Sequence, residues 1–427
     1  MYNPTALLVQ RRKYDEPDLL DEFEAIAKTA GYSVIGAFDV VSPPSARFGI
    51  GSGKVEEIAT WIEINQPEFV LFTPMLSSSQ IYRLMEAWDT EVRDRNQIIL
   101  EIFDRHAQTQ QAKLQIEQAR LSYELPFERH QIRKRLQKEH TGDRPVAEQI
   151  GAGEDLLNMR IKEIRRRIAK IQKKLEKIAQ VQEIKKQKRV NKGFLEITLA
   201  GYTNAGKSTL HKALTGSTVE IADKLFTTLS TKTAEIDIPG RQVVLSDSVG
   251  FISNLPSSLL DAFHTTLMEI GDADVIVLVL DASDSVQEMI RKANASRDTF
   301  KEIGINGIPL IVALNKIDLI DKEDIANKID ILSPEYSQII PISAKEEIDL
   351  DVLVQAIEAE LPPLSLYEIK LDYGDDSMSL ISWLHEVGDV EIEEYQTGTI
   401  HVEAYLPIDI ARKLAKTLPQ GTFSLLE

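Results

Sequence analysis

The chain has 427 residues, a net charge of −18, 43% hydrophobic residues and no cysteine. Disulfides and thiolate metal sites are excluded, the composition is that of a folded chain, and the length accommodates about two to four domains. The longest apolar run, Val275 to Leu280, is strand-sized rather than membrane-sized, and Met1 to Gln10 lacks the pattern of a secretory leader, so a reducing cytoplasm is the expected setting.

Residues 1–104 alternate strand-like and helix-like stretches and read as an α/β domain. Ala6 to Gln10 and Phe69 to Thr73 have the character of buried strands, and Leu19 to Ala30 has helical spacing that stops at Gly31. Residues 105–192 read as a helical hairpin. A Gln-rich helix runs to Leu125 and ends at Pro126, and a loop with short helical pieces spans 126–153 around Gly142, Pro145, Gly151 and Gly153. A long helix follows in which Ile161, Ile164, Ile168, Ile171, Leu175, Ile178 and Val181 recur every three or four residues, the seam of a coiled coil packed on the Gln-rich helix. This helix concentrates positive charge: Leu156 to Lys192 holds 14 Lys or Arg against 3 Glu. Inside an acidic chain, such a segment predicts a localised anionic partner.

At Gly193 the pattern changes. Strand-like runs at Phe194–Ala200, Thr233–Ile238, Gln242–Asp247, Asp274–Leu280, Pro309–Asn315 and Gln338–Ile342 are mostly separated by helical stretches. They predict a mostly parallel sheet wrapped by helices over residues 193–362. Residues 363–427, with a strand at Thr399–Tyr405 and a helix from Ile408 to Leu418, read as a small α+β domain.

The strongest chemical signal is Gly201-Tyr-Thr-Asn204-Ala205-Gly206-Lys207-Ser208-Thr209, lying between an apolar strand and a helix. Two glycines with four residues between them let the backbone curl its N–H groups toward phosphates, at the positive end of a helix dipole. Lys207 is placed to reach the β- and γ-phosphates and Ser208 to hold Mg²⁺. Asp247 ends a strand and begins an Asp-x-x-Gly run, which makes it a second Mg²⁺ contact, with the N–H of Gly250 aimed at the γ-phosphate. Asn315-Lys316-Ile-Asp318 ends another strand. A carboxylate at Asp318 accepts hydrogen bonds from guanine N1–H and N2–H₂, a pair that adenine does not present. Asn315 is expected to fix the loop, Lys316 to lie along the nucleoside, and Ser343-Ala344-Lys345 to bring a backbone N–H to guanine O6. In the stretch 225–231, Thr228 is the expected third Mg²⁺ contact, with Thr227 next and Thr231 and Thr233 further alternatives. Lys207, Thr228 and Gly250 are thus the expected catalytic contacts. Phe251 stands where many small GTPases carry a water-orienting Gln, and a phenyl ring makes no such hydrogen bond. Intrinsic turnover is therefore expected to be slow.

GYTNAGKSTL at 201–210, KLFTTLS at 224–230, DSVGFI at 247–252 and NKID at 315–318 resemble the HflX family of ribosome-associated GTPases. FGIGSGKVEE at 48–57, DRNQIILEIF at 94–103 and QAKLQIEQA at 111–119 look like that family's N-terminal domain. Two features depart from the family pattern: Ser248 replaces the usual Thr, and only Gly151 to Glu154 represents a richer glycine segment. The resemblance implies a Ras-like P-loop GTPase domain preceded by an α/β domain with a helical hairpin and followed by a small α+β domain. It also implies GTP-driven binding to the large ribosomal subunit, with roles in splitting or rescuing ribosomes under stress. Contact with rRNA through the basic helix fits that implication, because rRNA is a dense array of phosphates.

Two other readings compete. One is an ATP-using RNA-remodelling enzyme working through the N-terminal domain, where Gly49 to Lys54 imitates a phosphate loop but lacks the four-residue gap before its lysine. The other is a GTP-dependent switch for a protein partner. The seven histidines show no metal-ligand spacing.

Overall fold

The computed structural model describes residues 3–107, 109–139, 146–191, 194–216, 232–247, 250–251, 269–305, 307–396, 398–418 and 422–426. The chain divides into two compact units, one containing Met1–Ile178 and the other containing Ala179–Asp223 and His264–Glu427. Among the described residues, no helix is long and apolar enough to cross a membrane.

The first unit opens with β1 (Thr5–Arg12), α1 (Leu20–Thr29), β2 (Ser33–Val41), α2 (Ser52–Asn65), β3 (Phe69–Thr73), α3 (Ser78–Trp88), β4 (Glu91–Asp94) and α4 (Arg95–His106). The strands form a parallel sheet in the order β2-β1-β3-β4. Parallel strands are covered on both faces, which is why β1 and β3 read as continuous apolar runs. Leu7, Val9, Val70 and Phe72 pack on Ile58 and Ile62 of α2 and on Ile81 and Leu84 of α3. Both α3 and α4 start in capping boxes, Ser77 with Gln80 and Asp94 with Gln97, each satisfying helix N–H groups that have no intrahelical acceptor.

Two long helices follow, α5 (Gln110–Glu139) and α6 (Val146–Asn191). The expected break at Pro126 and loop over 126–153 are corrected here: α5 continues through position 126, and α6 begins ahead of Gly151 and Gly153. The expected positions Gly142 and Pro145 lie outside the described residues. A proline inside a helix costs about 3 kcal/mol and a glycine about 1. The rest of the hairpin is held by apolar packing. Leu114, Leu121 and Leu125 of α5 pack with Ile164, Ile168, Ile171, Leu175 and Ile178 of α6, and burying each such side chain contributes on the order of 1.5–3 kcal/mol. Arg167 closes the hairpin with Glu117 at 2.6 Å. Val181 drops out of the expected seam and is exposed. Asp94 fastens the hairpin to the sheet: buried at the end of β4, it accepts the Tyr123 hydroxyl of α5 at 2.5 Å.

The second unit holds β5 (Leu195–Gly201), α7 (Lys207–Thr215), β6 (Lys232–Ile238), β7 (Arg241–Asp247), β8 (Val275–Asp281), α8 (Val286–Glu302), β9 (Leu310–Asn315), α9 (Lys322–Leu332), β10 (Ile339–Pro341) and α10 (Leu350–Glu360). The sheet order is β10-β9-β8-β5-β7-β6, parallel except for β6. The unit ends in β11 (Leu364–Asp372), α11 (Asp375–Val387), β12 (Asp389–Gln396), β13 (Thr399–Pro407), α12 (Ile408–Thr417) and β14 (Phe423–Leu425), an antiparallel sheet ordered β12-β13-β11-β14. Ile369, Val402 and Leu406 face Leu384 of α11 and Leu414 of α12 in its core. The two sheets of this unit meet at the β6–β7 turn. Arg241 donates to the carbonyls of Glu358 and Pro362, both at 3.0 Å, and Gly240 sits against Leu364 and Asp389.

Candidate nucleotide-binding site

β5, the middle of the parallel sheet, delivers the glycine loop. Gly201 and Gly206 have φ of +138° and +95°, a region that strains any side chain. A Cβ on Gly201 would collide with the carbonyl oxygen of Val279, and one on Gly206 with the side-chain amide of Asn315. Space and backbone both require glycine. Asn204 also has positive φ and is exposed, while Ala205 is buried. Lys207, Ser208 and Thr209 are the first three residues of α7, so the helix presents its N-terminal N–H groups at the loop.

Lys207 is buried, and its Nζ donates to the carbonyls of Gly201 at 3.0 Å and Tyr202 at 2.9 Å. Burial pushes its pKa down to about 8, with the charge of Asp247 opposing the shift. Asp247 ends β7, whose pairing with β5 sets it beside Leu199. Ser208 Oγ donates to Asp247 Oδ2 at 2.7 Å. This hydroxyl and carboxylate are hard oxygen donors of the type Mg²⁺ takes alongside phosphate and water, so the residues present fit that ion. Gly250 is pressed on the loop: a Cβ there would lie 2.9 Å from Lys207 Nζ and 2.8 Å from Thr203 Cγ2.

Phe251 bonds the same loop through its backbone. Its N–H donates to Gly201 O at 2.9 Å, and its carbonyl accepts the N–H of Thr203 at 2.8 Å. The ring is 1% exposed and meets Phe300 of α8 edge-on at 5.5 Å. It belongs to the core, a role that the sequence comparison with a water-orienting Gln did not indicate.

The candidate base loop leaves β9. Asn315 is buried, donating from Nδ2 to Ala205 O at 2.8 Å and accepting the N–H of Ala344 on Oδ1 at 2.9 Å. One side chain therefore ties the glycine loop, the Asn315–Asp318 loop and the Ser343–Lys345 loop together. Asp318 accepts the hydroxyl of Ser343 at 2.6 Å. Lys316 forms an ion pair with Asp281 at 2.6 Å. Lys345 is exposed and pairs with Glu346 at 3.0 Å. Thr233 lies in β6 with its hydroxyl 3.4 Å from that of Ser246. Thr227, Thr228 and Thr231 lie outside the described residues. In the first unit, Gly49 to Lys54 leads into α2, but Lys54 pairs with Glu57 at 2.7 Å, and Phe48 and Ile50 are packed into the core.

A strand–glycine loop–helix with Lys and Ser at the helix start, a strand-end Asp beside them and an Asn-Lys-x-Asp loop tied to the same glycine loop define a P-loop GTPase, an enzyme that binds and hydrolyses GTP. Residues 196–316 match the family described as 50S ribosome-binding GTPase, residues 17–104 the GTP-binding GTPase N-terminal family, and residues 106–189 its middle region. The GTPase HflX of Thermococcus kodakarensis is 35% identical over 92% of this chain and 90% of its own. That of Saccharolobus solfataricus is 37% identical over 82% of this chain and 96% of its own. The chain belongs to the HflX family of GTPases. A crystal structure of a GTP-binding protein from Sulfolobus solfataricus in complex with GDP matches 84% of this chain and 98% of that one, at 29% identity and a TM-score of 0.45.

Proposed function

We propose that this GTPase acts in the cytoplasm on the large ribosomal subunit, binding it through α6 and using GTP turnover to split or rescue ribosomes under stress. The observation that carries the ribosome reading is the division of α6 into two faces. Ile164, Ile168, Ile171 and Leu175 are spent on the hairpin seam, while Arg165, Arg166, Lys170, Lys173, Lys174 and Lys177 are exposed. A rigid row of cations fits a phosphate array, and binding through it releases counterions.

In the proposed mechanism, Gly201 to Thr209 wraps the phosphates with backbone N–H groups. Lys207 exchanges two loop carbonyls for phosphate oxygens, so its ammonium regains a full counter-charge in a dry site. Ser208 and Asp247, with Thr228, would hold Mg²⁺, which supplies charge neutralisation on the β- and γ-phosphates. Gly250 directs its N–H at the γ-phosphate. Asp318, oriented by Ser343, reads guanine, and Asn315, Lys316, Ala344 and Lys345 frame the nucleoside. Phe251 leaves the attacking water without a side-chain partner at that position, which supports slow turnover until a ribosome orders the site.

Co-sedimentation with 50S subunits tests the proposal. Binding is expected with a GTP analogue, weakening as salt rises. Absence of binding at any salt concentration would reject the ribosome and favour a protein-directed switch.

A further inference from the structure

β8 and β9 end side by side. Their parallel register sets Asp281 opposite Asn315, so the residue closing β8 lies next to the start of the candidate base loop. The Asp281 side chain is 10% exposed, and a carboxylate at that depth requires partners. Oδ1 accepts the N–H of Ser283 at 2.9 Å and its hydroxyl at 2.6 Å, and Oδ2 accepts the Lys316 ammonium at 2.6 Å. One residue on, the N–H of Ala282 donates to the Asn315 carbonyl at 2.7 Å. The end of β8 therefore grips the loop twice, by backbone at Asn315 and by charge at Lys316.

Lys316 is a residue that needs gripping. Its φ is +67°, a region that is costly for anything but glycine, and its four-carbon stem has many rotamers to lose. An ion pair with a fixed, braced carboxylate offsets both and gives the stem one direction. We infer that Asp281 is a positioning residue for nucleotide binding: by anchoring the Lys316 ammonium, it holds the lysine stem in place between Asn315 and Asp318. The inference rests on the reading of Asn315–Asp318 as the base loop. An acid ending an apolar strand thus serves the nucleoside here, as Asp247 is proposed to serve the phosphates.

Affinities for GDP and GTP are measured on the full chain and on Asp281→Asn, each with Lys316 intact and with Lys316→Met. The Asn variant still accepts from Ser283 but can turn an amide N–H against the ammonium; the Met variant keeps the stem and has no charge to hold. With Lys316 intact, Asp281→Asn should weaken GDP and GTP alike by about tenfold, with or without Mg²⁺. In the Lys316→Met background, its effect should fall below about twofold. Asp281→Glu, which keeps the charge, should recover part of the loss. Equal losses in both backgrounds, or no loss with Lys316 intact, overturn the inference. Ser283→Ala, a milder change to the brace of the same carboxylate, should weaken both nucleotides about two- to threefold, and only with Lys316 intact; unchanged affinity there counts against the inference even if Asp281→Asn does not fold. Asp318→Asn separates this from the base-loop reading. If that variant exchanges GTP for xanthosine triphosphate while Asp281→Asn binds normally, the Asp281 inference alone fails; if the exchange does not occur, the base-loop reading fails.

Discussion

Asp318 and Lys207 make the sharpest demands on single atoms. Asp318→Asn sets an amide donor against guanine's own donors, so GTP affinity should fall by about 100-fold or more. Xanthosine triphosphate, whose C2 oxygen accepts from that amide, should gain. Competition between the two nucleotides on the variant measures this, and a variant that still prefers GTP contradicts the proposed base reader. Lys207 gives a pH signature in the nucleotide-free protein. Its folded pKa, pushed down by burial to about 8, lies below the unfolded value near 10.5, so between those values the unfolded chain holds more protons. Stability of the wild type relative to Lys207→Met should therefore rise by about 3 kcal/mol from pH 8 to pH 10.5, and be flat below pH 8. Denaturant melts of the pair across that range check the sign; a falling difference contradicts the buried, charge-poor setting. At this scale the motifs were legible because phosphate and base recognition dictate residue types at fixed spacings. Asp281 was not, since it belongs to no motif and only the sheet register puts it beside Asn315.

Elements obey a different arithmetic. The buried strands of both parallel sheets were readable because strands covered on two faces must be apolar throughout. Pro126, Gly151 and Gly153 lie inside helices against their local breaking tendency, and the described hairpin seam, from Leu114 to Leu125 and from Ile164 to Ile178, lies outside those three positions. The seam's charge pattern refines a test of α6. Arg167 pairs with Glu117, so reversing it disturbs the hairpin as well as the surface. Replacing Arg165, Arg166 and Lys170 with Glu avoids that pair. Such a variant should lose about tenfold or more in ribosome affinity at moderate salt and show a shallower salt slope, with GTP affinity unaffected. Binding that is insensitive to both changes would make α6 a solvated face only. At the β6–β7 turn, Gly240 has φ of +69°, and a Cβ there would lie 2.8 Å from that of Asp389. Gly240→Val should destabilise this unit by roughly 2–4 kcal/mol through backbone strain and overpacking. A thermal melt of the variant within a degree of wild type would show that the turn and β12 are not so closely fitted.

The whole molecule combines a cationic helix on an acidic chain with a GTPase core that carries Phe251 where a polar water-positioning residue is common. These two features belong to one account. Phe251 at that position, and a buried Lys207 held by its own loop carbonyls, support the proposal that the enzyme turns over slowly when alone and faster when a partner orders the site. The direct measurement is GTP turnover by the purified chain with and without 50S subunits, repeated with the α6 charge-reversal variant. The account predicts slow basal turnover, a rise of about tenfold or more with subunits, and loss of that rise, but not of basal turnover, in the variant. Fast basal hydrolysis that 50S subunits leave unchanged would contradict it.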